Sequence, residues 1–103
     1  MPPLSADRIR HSVVFTLVHV EGSDGERDFL ETLAGLESIP GVEAFELMRE
    51  VSPKNDFHYA LTMEFADRDA YEAYNRHPEH SDLVERRWAP EVADFLEIDT
   101  VAR

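Results

Sequence analysis

Residues 9–20, IRHSVVFTLVHV, constrain the fold more than any other stretch. β-Branched and aromatic residues dominate it, a composition that favours a pleated, extended backbone. Side chains of a strand alternate between two faces. One face carries Ile9, His11, Val13, Phe15, Leu17 and His19, and the other Val14, Val18 and Val20 with Ser12 and Thr16. Both faces are substantially apolar, so both need cover. Such a strand belongs inside a sheet with something packed on each side.

The rest of the chain supplies cover for only one side. Ser23 and Glu26 form an S-x-x-E capping box, with Ser23 as N-cap. Behind it Phe29, Leu30, Leu33, Leu36 and Ile39 fall on one helical stripe, and Pro40-Gly41 ends the helix. A second strand is expected over 42–51, a turn-rich connection over 52–56, and a third strand over 57–66. In that third strand Phe57, Tyr59, Leu61, Met63 and Phe65 alternate with smaller or polar residues. Asp67 then caps a short helix whose inner side would hold Ala70, Ala73 and Tyr74. Pro78 breaks it, Ser81 starts another, and Pro90 kinks or ends that one. Residues 94–101, DFLEIDTV, make a fourth strand.

The order β-α-β-β-α-β describes split βαβ units: an α+β fold with a four-stranded antiparallel sheet and helices on one face. The other face is left bare, and a chain of 103 residues has no helices left to cover it. The simplest cover is the same face of a second copy, a two-fold homodimer through the sheet. The length suits one domain, here 9–103, preceded by a loose Pro-rich arm over 1–8.

Composition narrows the partners. Lys and Arg number 10 against 22 Asp and Glu, a formal charge of -12. Such a surface repels phosphate backbones and anionic membranes, so neither nucleic acid nor membrane is expected as a partner. The absence of cysteine removes disulfides, thiolate metal sites and thiol nucleophiles, and fits a reducing cytoplasm. No segment approaches the ~20 apolar residues of a membrane span. No phosphate-binding glycine motif and no G-x-S-x-G or H-E-x-x-H motif is present. No cofactor is expected.

Two of the five histidines sit in YNRHPEH, residues 74–80. Glu79, Asp82, His77 and His80 are all ligand-competent, but Pro78 spoils the i, i+4 register of a helical metal pair, and no metal is expected. His77 suits the end of the first short helix, where a cation or donor meets exposed carbonyls. His80 opens the next helix. It is either a base or a helix-starting residue packed on the sheet. His11 lies on an apolar strand face, where a histidine is either hydrogen-bonded core or part of a site, and its expected partner is the H-P-E-H turn. His19 is expected at a strand end and His58 on a sheet face, while Glu64 faces either a dimer partner or a cavity. Among the aromatics, most of Phe15, Phe29, Tyr59, Phe65, Tyr74 and Trp88 are expected in the core, and some in a pocket between sheet and helices.

IRHSVVFTL, YNRHPEH and PEVADFLEIDTV together resemble the stress-responsive A/B barrel domain, or Dabb, family, from about residue 9 to residue 101. The H-P-x-H element is the most specific piece, followed by Arg10-His11 and the weaker closing pattern from Asp94 to Asp99. The resemblance implies a ferredoxin-like subunit that dimerises into an α+β barrel. Most members of the family have no firm activity, and one branch contains polyketide cyclases. There the second histidine of H-P-x-H is the base, aided by a tyrosine on the preceding helix and the strand-1 histidine. Those positions match His80, Tyr74 and His11, while His77 and Asp99 match positions of less certain role. The expected function is therefore a homodimer binding a small hydrophobic, carbonyl-rich molecule, with cofactor-free acid–base catalysis by His80 and Tyr74. The alternatives are a dimer that binds without turnover and, more distantly, a haem- or quinone-monooxygenase-like enzyme.

Overall fold

The computed structural model describes residues 6–103. Four strands, β1 (Ile9–Leu17), β2 (Glu43–Arg49), β3 (Tyr59–Phe65) and β4 (Val92–Thr100), form one sheet in the order β2-β3-β1-β4. All neighbouring pairs are antiparallel. Helix α1 (Asp24–Ala34) runs into a 3-10 turn at Gly35–Ser38. Helices α2 (Arg68–Arg76), α3 (Pro78–Leu83) and α4 (Ala89–Glu91) follow β3, with a π-helical turn at Val84–Trp88 between the last two. This is the expected α+β, ferredoxin-like order, with β1 as an inner strand. No helix among the described residues is long and apolar enough to cross a membrane.

The alternation in β1 sorts the sheet into two faces. Ile9, His11, Val13, Phe15 and Leu17 are all buried beneath the helices. Phe29, Leu33, Leu36 and Ile39 descend onto them from α1 and the turn after it, and Leu61, Met63 and Phe65 add the β3 contribution. Burying each large side chain contributes about 2 kcal/mol. On the opposite face Val14 lies between Ala60 and Leu96, Ser12 between Thr62 and Ile98, and Met48 beside Ala60. Leu96 and Ile98 are about half exposed there, at 52% and 45%. Val18 and Val20, expected in the strand, lie beyond it and are exposed. A register shift at Thr16/Leu17 and the backbone bond from Val18 N–H to the Glu91 carbonyl turn the chain away from the sheet.

The helix starts follow local rules. Ser23 Oγ accepts from Glu26 N–H at 3.2 Å, and the Glu26 carboxylate accepts from Gly22 N–H at 2.9 Å. Asp67 Oδ1 accepts from Ala70 N–H at 2.8 Å. On α2 the buried residues are Tyr71 and Tyr74, whereas Ala73, expected on the inner side, is exposed. Tyr71 and Tyr74 are three apart and share a face, whereas Ala73 lies about 100° away from Tyr74.

The helix after the break opens at Pro78, not Ser81. Proline at the first helical position loses no hydrogen bond. His77 both ends α2, through its backbone N–H to the Tyr74 carbonyl, and caps α3. Its Nδ1 accepts from Glu79 N–H at 3.1 Å, so the ring acts as an acceptor and not as the cation or donor expected for the carbonyl end. Arg76 supplies the basic side chain in that last turn. Pro90 lies one residue before the end of the chain's last helix at Glu91. It lacks an N–H for the carbonyl four residues back, and upstream of it the ladder widens, with Ala89 N–H reaching the Val84 carbonyl.

Glu64 lies on the open face. It pairs with Arg8 at 2.6 Å and Arg10 at 3.5 Å of its own chain. Residues 1–5 of the expected N-terminal arm lie outside the described residues, and Arg8 at its end is held by Glu64 and Glu43. His19 follows β1 and bonds Glu91 at 2.7 Å, and His58 is exposed just before β3.

Glu26 links α1 to the sheet. Besides capping, its carboxylate accepts from the buried Tyr59 hydroxyl. That bond and the Gly22 N–H hold the Glu26 carboxyl below its usual value of 4.5. The folded state therefore releases this proton more readily than the unfolded chain. The resulting stability is present above pH ~4.5 and fades as pH falls through the lower folded value. Glu26→Gln should melt below wild type at pH 7, with the gap in melting temperature narrowing toward pH 3. A gap independent of pH would remove the charge from this account.

Candidate functional site

A cavity of about 240 Å³ lies between the sheet and the second helical layer. Val13 and Leu61 form its floor, Leu33 and Leu36 one wall, and Leu83, Val84 and Trp88 another. The π turn carries both Val84 and Trp88. Trp88 packs on Phe15, with ring centroids 5.1 Å apart, and edge-on to Phe95 at 5.6 Å. Of the aromatics considered from sequence, Tyr74 and Trp88 line the cavity, and Phe15, Phe29, Tyr59 and Phe65 belong to the core cluster. A mostly apolar hollow with a few converging polar groups is the usual form of a small-molecule site.

The polar groups are His11, Tyr74, Asn75, His80 and Glu97. The three residues singled out from sequence, His11, Tyr74 and His80, thus meet around one cavity although they come from β1, α2 and α3. The Tyr74 and His80 rings are 4.4 Å apart, and those of His11 and Tyr74 are 6.4 Å apart. Tyr74 is only 2% exposed. Burial, and secondarily the Glu97 charge, push its hydroxyl well above the usual value of 10, so it stays protonated and can donate. Burial pulls His80 below its ordinary 6.5, with the His11 ring acting in the same direction and the Asn75 backbone and Glu97 opposing. Its Nδ1 is buried without a hydrogen-bond partner among the described residues.

His11 is not joined to the H-P-E-H turn, the partner expected from sequence. Its Nδ1 meets Asp99 Oδ1 at 2.6 Å, because the two residues are register partners across β1 and β4. An ionised carboxylate only accepts, so Nδ1–H is the donor and Nε2 is the free ring nitrogen. The Tyr71 hydroxyl donates to Asp99 Oδ2 at 2.9 Å and lies 3.1 Å from His11 Nδ1. Burial and the Asp99 bond raise the Tyr71 pKa well above 10 and keep that donor protonated. Sequence reasoning missed Tyr71 and Glu97. The signal for Tyr71 was its i, i+3 spacing to Tyr74. Glu97 needed the β4 register, since it shares a face with Asp99 two residues on.

Among the described residues, His11, Glu97 and Asp99 are the group able to hold a metal ion, with ligand atoms within 4.8 Å of one another. In this arrangement they are engaged with each other and with Tyr71 by hydrogen bonding. His77 and His80 are not part of it.

The Stress Responsive A/B Barrel Domain (Dabb) sequence model matches residues 9–102. A Dabb family protein with a ferredoxin-like fold from Mesorhizobium loti superposes with a TM-score of 0.92 at 50% identity, covering 94% of this chain and 98% of the other. A dimeric ferredoxin-like protein of unknown function from Thermobifida fusca gives a TM-score of 0.76 at 20% identity, covering 95% and 93%. Hydroxynitrile lyase from Passiflora edulis gives 0.83 at 11% identity, covering 96% of each chain, a likeness of fold alone. No curated protein sequence matches the chain.

Tyr71→Phe should lower unfolding stability by about 1 kcal/mol, the worth of one net hydrogen bond to a partly solvated carboxylate. Denaturant titration measures this, and an unchanged midpoint would show that the hydroxyl holds nothing in place.

Proposed function

The chain belongs to the stress-responsive A/B barrel domain family, and on that premise we propose that its cavity binds a small, apolar, carbonyl-rich molecule and enolises it without a cofactor. The convergence of His11, Tyr74 and His80 on one otherwise apolar hollow carries this reading. His80 is the base. A carbon between two carbonyls is acidic enough for an imidazole to deprotonate. The His80 imidazole takes the proton, and the electron pair moves onto a carbonyl oxygen. The Tyr74 hydroxyl, kept protonated by burial, donates to that developing enolate oxygen. Asp99 and Tyr71 fix the His11 ring on the wall of the same cavity, where it serves as a positioning group. Enolisation is common to ring closure, isomerisation and carbon–carbon cleavage, so one pair of residues suits all three.

His80 must be neutral to act, and its pKa lies below 6.5. Turnover of an enolisable β-diketone should therefore be flat around pH 7 and fall on the acid side with a midpoint below 6.5. A midpoint above 6.5 would assign the base elsewhere. His80→Ala should lose about 100-fold or more in kcat, within the range of general-base catalysis. Ligand binding that persists with no turnover in the wild type would identify a binding protein with the same pocket.

The open sheet face supports a second proposal, that two copies cover each other there. Val14, Leu96, Ile98 and Met48 lie on it, and leaving them in water forfeits their burial. The protein should scatter light as about twice 11.8 kDa, and Ile98→Asp should return it to the single-chain mass. A single-chain mass for the wild type at micromolar concentration would overturn the interface.

A further inference from the structure

The walls of the cavity hold one fixed charge, and it is negative. No Lys or Arg lines it among the described residues. The nearby cations are committed elsewhere. Arg8 and Arg10 pair with Glu64 on the far side of the sheet, and Arg87 is held by Asp28 and Glu91. Glu97 is different. It lies on the cavity face of β4, where its register partner is Val13 of the floor. Its Oε1 is 3.7 Å from His11 Nδ1 and 3.2 Å from the Tyr71 hydroxyl. Its side chain is 47% exposed, so it reaches from the mouth of the hollow toward the site. Asp99, two residues on, adds a second negative charge behind it, already engaged by His11 and Tyr71.

We propose that Glu97 is a specificity-determining residue that filters ligands by charge: it accepts uncharged molecules presenting an enolic or phenolic O–H and turns away carboxylates and phosphates of the same shape. This rests on the cavity being the ligand site described above. A carboxylate entering the hollow loses its hydration, finds no cation, and faces a like charge, three costs of one sign. An uncharged donor instead gives Glu97 a charge-assisted hydrogen bond. Discrimination through a repulsive element is a general device of specific sites. The filter narrows the substrate class to neutral poly-carbonyl or phenolic compounds and excludes free keto acids.

Benzoylacetone and benzoylacetate test it, since they differ only in an acetyl group against a carboxylate. Calorimetry gives their affinities for the full chain, and quenching of Trp88, the single tryptophan and a cavity-wall residue, reports where they bind. Wild type should favour benzoylacetone by about tenfold or more at low salt, equivalent to about 1.4 kcal/mol. Glu97→Gln should bring the two affinities close together, chiefly by improving the carboxylate, and Glu97→Lys should reverse the preference. Equal binding of both probes to wild type, or an unchanged preference in both variants, overturns the filter alone. Failure of both probes to bind both wild type and Glu97→Lys overturns the pocket reading and the filter with it.

Discussion

The pairing of β1 on both of its edges organises the rest of this structure. A strand with β3 on one side and β4 on the other has no free backbone edge, and its alternation assigns every residue of its neighbours to a face. His11 is thereby set against Met63 and Asp99, Val13 against Leu61 and Glu97, and Phe15 against Tyr59 and Phe95. The same ladder that builds the core floor also delivers two carboxylates to the site. A histidine on an apolar face needs a hydrogen-bond partner, and the register provides it without any loop being specially shaped.

The second helical layer works differently. It is short, broken at Pro78 and widened before Pro90, and both prolines have a constructive role. Pro78 sits where its missing N–H costs nothing, and His77 serves as the end of one helix and the cap of the next. The π turn carries Val84 and Trp88 onto the cavity wall. α1, by contrast, is one regular amphipathic helix that closes the other side of the core. It is tied to the sheet by Glu26 and Tyr59 and to the far layer by Arg87, whose guanidinium reaches Asp28, Thr32 and Glu91. The hollow persists between a rigid floor and an irregular roof because the roof is built of short segments that do not fill the space evenly.

Features that depend on near neighbours in the chain were legible from sequence. The Ser23 and Asp67 caps, the stripe from Phe29 to Ile39, and the strand periods of 9–17 and 59–65 all rest on spacings of two to four residues. The two-sided character of β1 also exposed the bare face of the sheet. Errors fell where neighbouring signals competed. Ala73 was placed on the inner side and Tyr71 was overlooked, although Ala73 lies on the wrong side of Tyr74. Ser81 looked like a helix start because its hydroxyl suits a cap, but His77 and Pro78 had already begun the helix. His77 was read as a donor because helix ends attract cations, and its ring instead accepts a bond from the turn that follows.

The sequence by itself determined the order of elements and the buried faces of β1 and α1, because side-chain period and turn chemistry are local, and its resemblance to the Dabb family pointed to His11, Tyr74 and His80. Only the tertiary structure decided that these three share one cavity, that Asp99 and Tyr71 hold His11, and that Glu97 charges the pocket. Those facts depend on the register between β1 and β4, whose paired residues lie more than seventy positions apart. Such a register is fixed by burying whole faces of the sheet together, and no short spacing along the chain encodes it.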